Sequence, residues 1–457
     1  MSIEDIYDDT ELADVAKLFF GEDIPRIALS GNDGRFSVDV DGKRFRYDYS
    51  SPEYSVIPLE HRAGRLKKIA LYDALESFTG RAMPWGALTG VRPTKLFYEC
   101  VKLGSSRKTA QEIMRRVYRV SDFRAKILGD IYDAQKDKVC CSSEYCNLYV
   151  HIPYCTTRCT YCSFVSAPIA KNIRQSHTYV DLLCDEIEKS LDFLRSHGKK
   201  ILSIYIGGGT PSALCDEDFD KMLSAIGDPG VEYTCEAGRP DTVTDVKADI
   251  MKSHGVTRVC VNPQTLNEKT LALIGRSHGV DDFYKAYEIV KKRGFDINCD
   301  LIAGLDGESF DDFKISFDGI KSLGPQNFTV HSLSKKNGSE IRYRDGENAD
   351  AAQMLEYALN NLGNYRPYYL YRQKRQAGNL ENVGFALPGT ECVNNITTME
   401  ETVSVMACGA GAISKAISNG KIYRFANMRD VPLYIARYSE KLKAKLECFE
   451  NNFHPAD

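Results

Sequence analysis

Tyr149-Val150-His151-Ile152-Pro153-Tyr154-Cys155-Thr156-Thr157-Arg158-Cys159-Thr160-Tyr161-Cys162 is the stretch from which the rest of the chain is read. It runs from an apolar, β-branched segment, 148–152, into a loop that carries three thiols within eight residues. A loop of that length can wrap three sulfurs around one face of a cubane, and thiolates are the ligands that iron–sulfur clusters use. Three sulfurs on four irons leave one iron open to chelation by a second molecule. Zinc is the alternative. Structural zinc sites close with four ligands, and Cys140, Cys141 or Cys146 could supply the fourth by counting alone. Spacing and the preceding strand together favour the cluster.

Outward from this loop the chain keeps a regular beat. Apolar strand-like runs at 148–152, 201–206, 232–235, 258–261, 297–302 and 328–333 alternate with helical patterns at 173–195, 216–226, 242–254, 267–274, 282–293 and 309–322. Strands separated by helices pair in parallel through right-handed crossovers, and runs so continuously apolar are buried on both faces. Six units rather than eight predict an α/β fold built on an open, partial (βα)6 TIM-like barrel over residues 146–335. Chemistry in such folds gathers at the strand C-terminal ends. The three-thiol loop follows the first strand, and Gly207-Gly208-Gly209-Thr210-Pro211 follows the second.

The flanks read differently. Residues 1–145 predict an α+β accessory domain. A short acidic helix within 3–20 precedes strands near 27–29, 36–40 and 45–49, separated by the hairpin signals Asn32-Asp33-Gly34 and Asp41-Gly42. Helices are expected at 60–79, 106–118 and 121–136, with a loop at 84–95 that holds the only tryptophan, Trp85. Residues 336–457 predict a mostly helical domain covering the substrate, with helices at 351–363, 400–417 and 430–450. Between the first two lies the aromatic and cationic run from Tyr365 to Lys374.

Composition limits function. The chain has 457 residues, 43% of them hydrophobic, and a net charge of -4, so no general electrostatic pull toward nucleic acid is expected. No run of 18 apolar residues is present to span a bilayer. The acidic N-terminus lacks the layout of a signal peptide, and a cytoplasmic location is expected. Fifteen cysteines in such a chain are not a disulfide framework. Cys235, Cys260 and Cys299 fall on successive strands and read as core. Cys140, Cys141 and Cys146 read as non-catalytic.

Cys-x3-Cys-x-aromatic-Cys after a first strand resembles the signature of the radical S-adenosylmethionine (SAM) superfamily. The resemblance implies a 4Fe-4S cluster on Cys155, Cys159 and Cys162, with SAM chelating the open iron. It implies reductive cleavage of SAM to methionine and a 5′-deoxyadenosyl radical, fed by a donor such as flavodoxin or ferredoxin. Tyr161 would pack on the adenine, and Gly207, Gly208, Gly209 and Thr210 would meet the methionyl end.

The likeness narrows to the oxygen-independent coproporphyrinogen III dehydrogenase group, which includes dehydrogenases, haem chaperones (HemW-like) and a HemZ subgroup. It is carried by Tyr149 to Cys155, by Ile206 to Ser212, and by Val261-Asn262-Pro263-Gln264-Thr265-Leu266-Asn267. Leu273 to His278 and Asp300 to Leu305 continue it. Leu88 to Lys95 and Gly378 to Asn382 resemble the HemZ subgroup in particular. By this resemblance Tyr149, Glu236, Gln264, Arg276 and Asp300 are SAM contacts.

Two departures bear on the reaction. Phe164 stands where the dehydrogenase proper has a further cysteine, as in the chaperone branch. Glu236-Ala237-Gly238-Arg239-Pro240 differs from the usual acid-then-proline pattern. The implied activity is oxidative decarboxylation of coproporphyrinogen III. The alternatives are a haem chaperone or a radical SAM enzyme acting on haem or another tetrapyrrole. A four-carboxylate macrocycle calls for cations among aromatic walls. The residues nominated for that task are Arg92, Lys95, His331, Arg372, Lys374 and Arg375, with Trp85, Tyr368, Tyr369 and Tyr371.

Overall fold

The computed structural model describes residues 4–6, 9–90, 92–102, 106–139, 142–164, 166–334, 339–340, 350–373 and 380–453. Lys374, Arg375, Cys140 and Cys141 lie outside them. The chain forms two compact units, Met1–Asp133 with Leu370–Arg372, and Ala134–Tyr369 with Gln373–Asp457.

In the first unit, β1 (Glu4–Asp5), β2 (Ile27–Asn32), β3 (Arg35–Val40) and β4 (Lys43–Asp48) make an antiparallel meander. Its turns are Asp33-Gly34 and Asp41-Gly42, all four residues at φ between 49° and 84°. Two successive positive φ values are the type I′ geometry whose twist matches paired strands. Helix Leu59–Thr79 buries Leu66, Ile69, Ala70, Leu71 and Leu75. The loop expected at 84–95 becomes helical at its end: Pro93–Lys102 is a helix, started by a proline whose missing N–H costs nothing there.

The second unit is organised by one sheet. Its parallel core is β5 (Tyr145–Ile152), β8 (Lys200–Gly208), β9 (Glu232–Cys235), β10 (Arg258–Cys260), β11 (Asp296–Ala303) and β12 (Asn327–Ser332), each paired in parallel with the next in sequence order. Sequential order is that of a barrel wall, as expected, rather than of a doubly wound sheet. Two short strands clasp the thiol loop at its base. They are β6 (Tyr154–Cys155) and β7 (Ala167–Pro168), paired Tyr154 to Ala167 and Cys155 to Pro168. Helices Ile173–Ser196, Asp216–Ile226, Asp245–Ser253, Val280–Lys292 and Phe310–Leu323 connect the strands. Cys235, Cys260 and Cys299 are buried core, as read.

Apart from Leu370–Arg372, the described residues after 338 belong to this unit, and several of them join its sheet. Helices Ala351–Asn360, Val393–Glu400, Val431–Ala436 and Tyr438–Glu450 keep the region helical, but among the described residues five strands accompany them. β13 (Arg366–Tyr371) and β14 (Asn382–Ala386) extend the edge beyond β12. β15 (Ser404–Cys408), β16 (Ile413–Ser418) and β17 (Lys421–Ala426) extend the other edge, β15 lying parallel to β5. The helix expected at 400–417 is therefore β15 and β16. All five residues of β15 are buried, and an apolar run that short has no periodicity to separate strand from helix. No helix among the described residues is long and apolar enough to cross a membrane.

Candidate active site

Beyond their first residues, the strands of the wall are buried except at a few half-exposed positions. Tyr149 on β5, Tyr205 on β8, Asp300 on β11 and His331 on β12 are such positions, and Glu236 follows β9 directly. Tyr149 pairs in register with Tyr205, and their rings stack with centroids 6.3 Å apart. The Tyr149 hydroxyl meets His151 Nδ1 at 3.2 Å. The Tyr205 hydroxyl donates to Glu236 Oε1 in a short hydrogen bond. Asp300 accepts from Asn298 Nδ2 at 2.9 Å and lies 3.6 Å from His331 Nε2. Burial, and then the Asp300 charge, push the Glu236 carboxyl up to about 7, against the pull of Tyr205. A carboxyl so raised is held poised between its two forms, which is common at sites that receive a charged ligand.

Gln264 sits between these strands. Its N–H donates to Asp300 O at 2.9 Å and its carbonyl accepts from Ile302 N at 3.0 Å. Its φ is +71°, a left-handed conformation unusual for a residue that is not glycine. The backbone of β11 holds it there on both sides. Strain sustained in this way clusters at ligand sites.

The glycine run shows why side chains are excluded. Gly208 has φ +104°, and a Cβ on it would stand 2.7 Å from the His151 ring. A Cβ on Gly209 would collide with Tyr154 O and stand 3.0 Å from Cys155 Sγ. Thr210 donates its backbone N–H to Tyr154 O at 2.7 Å and its hydroxyl to Cys155 Sγ at 3.5 Å. The end of β8 is thus pressed against the first thiol. Gly209→Ala is expected to force these segments apart, at a cost of about 1–3 kcal/mol for overpacking. Its melting temperature and its iron content per chain after reconstitution should both fall below those of the unsubstituted protein.

The thiol loop is moored on its other side to the segment after helix Glu268–Leu273. Thr160 N donates to Ile274 O at 3.0 Å, and the Thr157 hydroxyl to Gly275 O at 3.1 Å. Tyr161 packs against an apolar cluster of Leu271, Ile274, Ile302, Leu305 and Leu333. Cys155, Cys159 and Cys162 are each partly exposed, unlike the buried Cys146, Cys235, Cys260 and Cys299. Burial pushes the Cys155 thiol up, and that of Cys162 up to about 11. Cys146 begins the other end of β5, six residues before Ile152, hence about 20 Å from the loop at roughly 3.3 Å per residue. It is no fourth ligand.

Buried donors also wait at this site. Arg276 gives one hydrogen bond, from Nη2 to Gly238 O at 3.0 Å. Among the described residues its Nε and Nη1 have no hydrogen-bond partner, nor does either ring nitrogen of His278. Unsatisfied buried donors are costly, and here they mark a place where an acceptor from a ligand fits. Tyr205, Arg239, Asp241 and His278 were not foreseen as site residues. The signal for Tyr205 was the two-residue alternation along β8, which sets it on one face with Gly207.

The model of the Radical SAM superfamily matches residues 149–318. HemZ of Bacillus subtilis, an oxygen-independent coproporphyrinogen-III oxidase-like protein, is 33% identical over 99% of this chain and 98% of its own. The chain belongs to this radical SAM family. The heme chaperone HemW of Lactococcus lactis is 30% identical over 58% of this chain and 68% of its own. Among solved structures, the coproporphyrinogen III oxidase HemN of Escherichia coli shares the fold, with a TM-score of 0.53 at 19% identity, over 67% of this chain and 72% of that one. A radical SAM protein uses a 4Fe-4S cluster and SAM. The donor set fits both: three partly exposed thiols on one loop, and beside it glycine backbone, carboxylates and an under-used guanidinium.

The described members of the nominated substrate group are divided between the two units. Arg92, Lys95 and Arg372 belong to the first unit. Arg372 is buried there, donating from Nη1 to Leu88 O at 2.6 Å, with its guanidinium 5.4 Å from the centre of the buried Trp85 ring. Tyr368 and Tyr369 are buried, with hydroxyls bonded to Asn395 and Thr329. His331, in the second unit, lies 3.6 Å from Asp300.

Proposed function

We propose that Cys155, Cys159 and Cys162 hold the cluster, and that Tyr149, Tyr161, Gly207 to Thr210, Glu236, Gln264, Arg276 and Asp300 hold SAM. The protein would then convert propionate side chains of coproporphyrinogen III to vinyl groups, giving protoporphyrinogen IX, as a cytoplasmic enzyme fed by a low-potential donor such as flavodoxin or ferredoxin. The observation that carries this reading is the full-length likeness to the oxidase-like HemZ, flanks included.

When bound, the cofactors supply a radical that abstracts hydrogen from the substrate. The chain's own part is placement. Arg276 has two unpartnered donors, Nε and Nη1, to offer to acceptors on a ligand, and hydrogen bonds from a charged guanidinium are stronger than neutral ones. Glu236 and Asp300 accept from hydroxyl or ammonium groups, and a cation beside Glu236 draws its carboxyl back to the ionised form. Tyr161, backed by Leu271 and Ile302, offers a flat apolar face to a base.

Haem carriage is the second reading. It is favoured by Phe164, which is 55% exposed beside the thiol loop where the dehydrogenases have a cysteine. Cluster-reconstituted protein should be assayed without oxygen, with SAM, a low-potential reductant and coproporphyrinogen III. The expected result is 5′-deoxyadenosine formed in step with loss of carbon dioxide and two hydrogens per propionate, followed by mass spectrometry. Deoxyadenosine with untouched porphyrinogen, together with tight haem binding, would replace oxidation by carriage.

A further inference from the structure

Arg239 is heavily engaged among the described residues near the thiol loop. It is 4% exposed. Its Nε and Nη2 pair with the two oxygens of Asp241 at 3.0 and 3.1 Å. Nη1 donates to the Thr157 hydroxyl at 2.9 Å and to Cys159 Sγ at 3.7 Å, and Nη2 reaches the Ser277 hydroxyl at 2.7 Å. Asp241 in turn accepts from the hydroxyls of Thr156 and Ser277, each at 3.2 Å. One guanidinium therefore joins three segments: the thiol loop at 157–159, the turn after β9 at 239–241, and the stretch at 275–278 that carries Arg276.

Geometry of this kind does two things. A planar fork with several fixed partners holds its surroundings in one arrangement, which a flexible ammonium would not. A buried positive charge against a ligand sulfur also stabilises added negative charge, because a low-dielectric site screens little. Hydrogen bonds and charge at the sulfurs are among the levers that set cluster potentials.

We infer that Arg239 is the positioning residue of the thiol loop and the fixed charge that eases one-electron reduction of the cluster held by Cys159. The inference rests on the proposed ligand assignment. The electron comes from an external one-electron reductant, and the cluster gains one negative charge. Arg239 supplies no proton and no electron. Asp241 opposes it electrostatically while holding it in place, so the two residues affect reduction with opposite signs.

The test is a reductive titration of reconstituted protein with titanium(III) citrate, followed by electron paramagnetic resonance of the reduced cluster. Arg239→Gln is expected to lower the ratio of reduced to oxidised cluster at least tenfold at a fixed poise, equivalent to about 59 mV for a one-electron couple. Asp241→Asn keeps the cation, removes the opposing charge, and should raise that ratio several-fold. A purely structural brace would move both variants the same way, through lost iron. If Arg239→Gln fails to load iron, Asp241→Asn decides alone: a rise upholds the inference, and no change or a fall overturns it. Where both load, shifts of the same sign, or less than threefold for Arg239→Gln, overturn it. An unsubstituted chain that takes up no iron would instead overturn the ligand assignment.

Discussion

Cys159→Ala is expected to lose both the cluster and all SAM cleavage, with iron per chain and 5′-deoxyadenosine falling to background. The loss should be chemical rather than structural, because the loop's moorings do not run through this thiol. Thr160 N to Ile274 O, Thr157 to Gly275 O, and Cys162 N to Cys159 O all survive the substitution. Arg239 loses one weak acceptor and keeps Asp241, Thr157 and Ser277. The variant should melt within a few degrees of the parent while remaining colourless. Cys146→Ala is the control. Its thiol is fully buried at the start of β5, so it should keep the cluster. Iron retained by Cys159→Ala, or lost by Cys146→Ala, would contradict the assignment of ligands.

The legible part of this molecule was the part with a local signature. The ends of each of the six wall strands lie within three residues of their expected places, because each is a short apolar run closed by a helix of clear period. The thiol loop was legible for another reason: three cysteines in eight residues are a chemical pattern, independent of structure. What lay hidden depends on partners far away in sequence. β15 is a strand because β5 offers it an edge, 258 residues earlier by its Ser404–Cys146 and Met406–Leu148 pairing. Nothing in Ser404 to Cys408 itself announces that. Arg239 stood out only as a departure from a pattern, and its contacts on the loop at 157–159 and at Ser277 appear once the sheet brings those loops together. Arg372 adds a partner its own segment does not announce: within the first unit it donates to Leu88 O and lies over the Trp85 ring.

A second large effect is expected outside the thiol loop, at Lys445. This residue is fully buried, and its Nζ donates to Glu186 Oε1 at 2.6 Å, to Ser190 Oγ at 3.0 Å and to Ala407 O at 3.2 Å. Glu186 also accepts from Tyr434 OH at 2.6 Å, Gly409 N at 2.8 Å and Asn427 Nδ2 at 3.0 Å. The cluster of contacts joins helices Tyr438–Glu450 and Ile173–Ser196 to the turn after β15. That turn bears on the site: Tyr179 OH donates to His151 O at 2.6 Å and accepts from Ala410 N at 3.1 Å. His151 is the ring against which Gly208 is fitted.

Lys445→Met would leave Glu186 charged, buried and without its cation. Breaking such a pair costs about 3–5 kcal/mol, a fall in melting temperature on the order of 10 °C. The double variant Glu186→Gln, Lys445→Met leaves no stranded charge and should recover more than half of that loss. The pH dependence has a definite sign. Burial alone would raise the Glu186 carboxyl, but Lys445 and the hydroxyl and amide donors pull it below its ordinary value. Burial alone would lower the Lys445 ammonium, but Cys408 and Glu186 hold it above its own. The pair's stabilisation is therefore full between about pH 4.5 and 10.5, is lost below that window as Glu186 is protonated, and is lost above it as Lys445 is deprotonated. Melting curves of the parent should fall toward those of the double variant at both extremes. A gap between the two that stays constant from pH 4 to pH 11 would mean that the contacts, rather than the charges, hold the C-terminal helix in place.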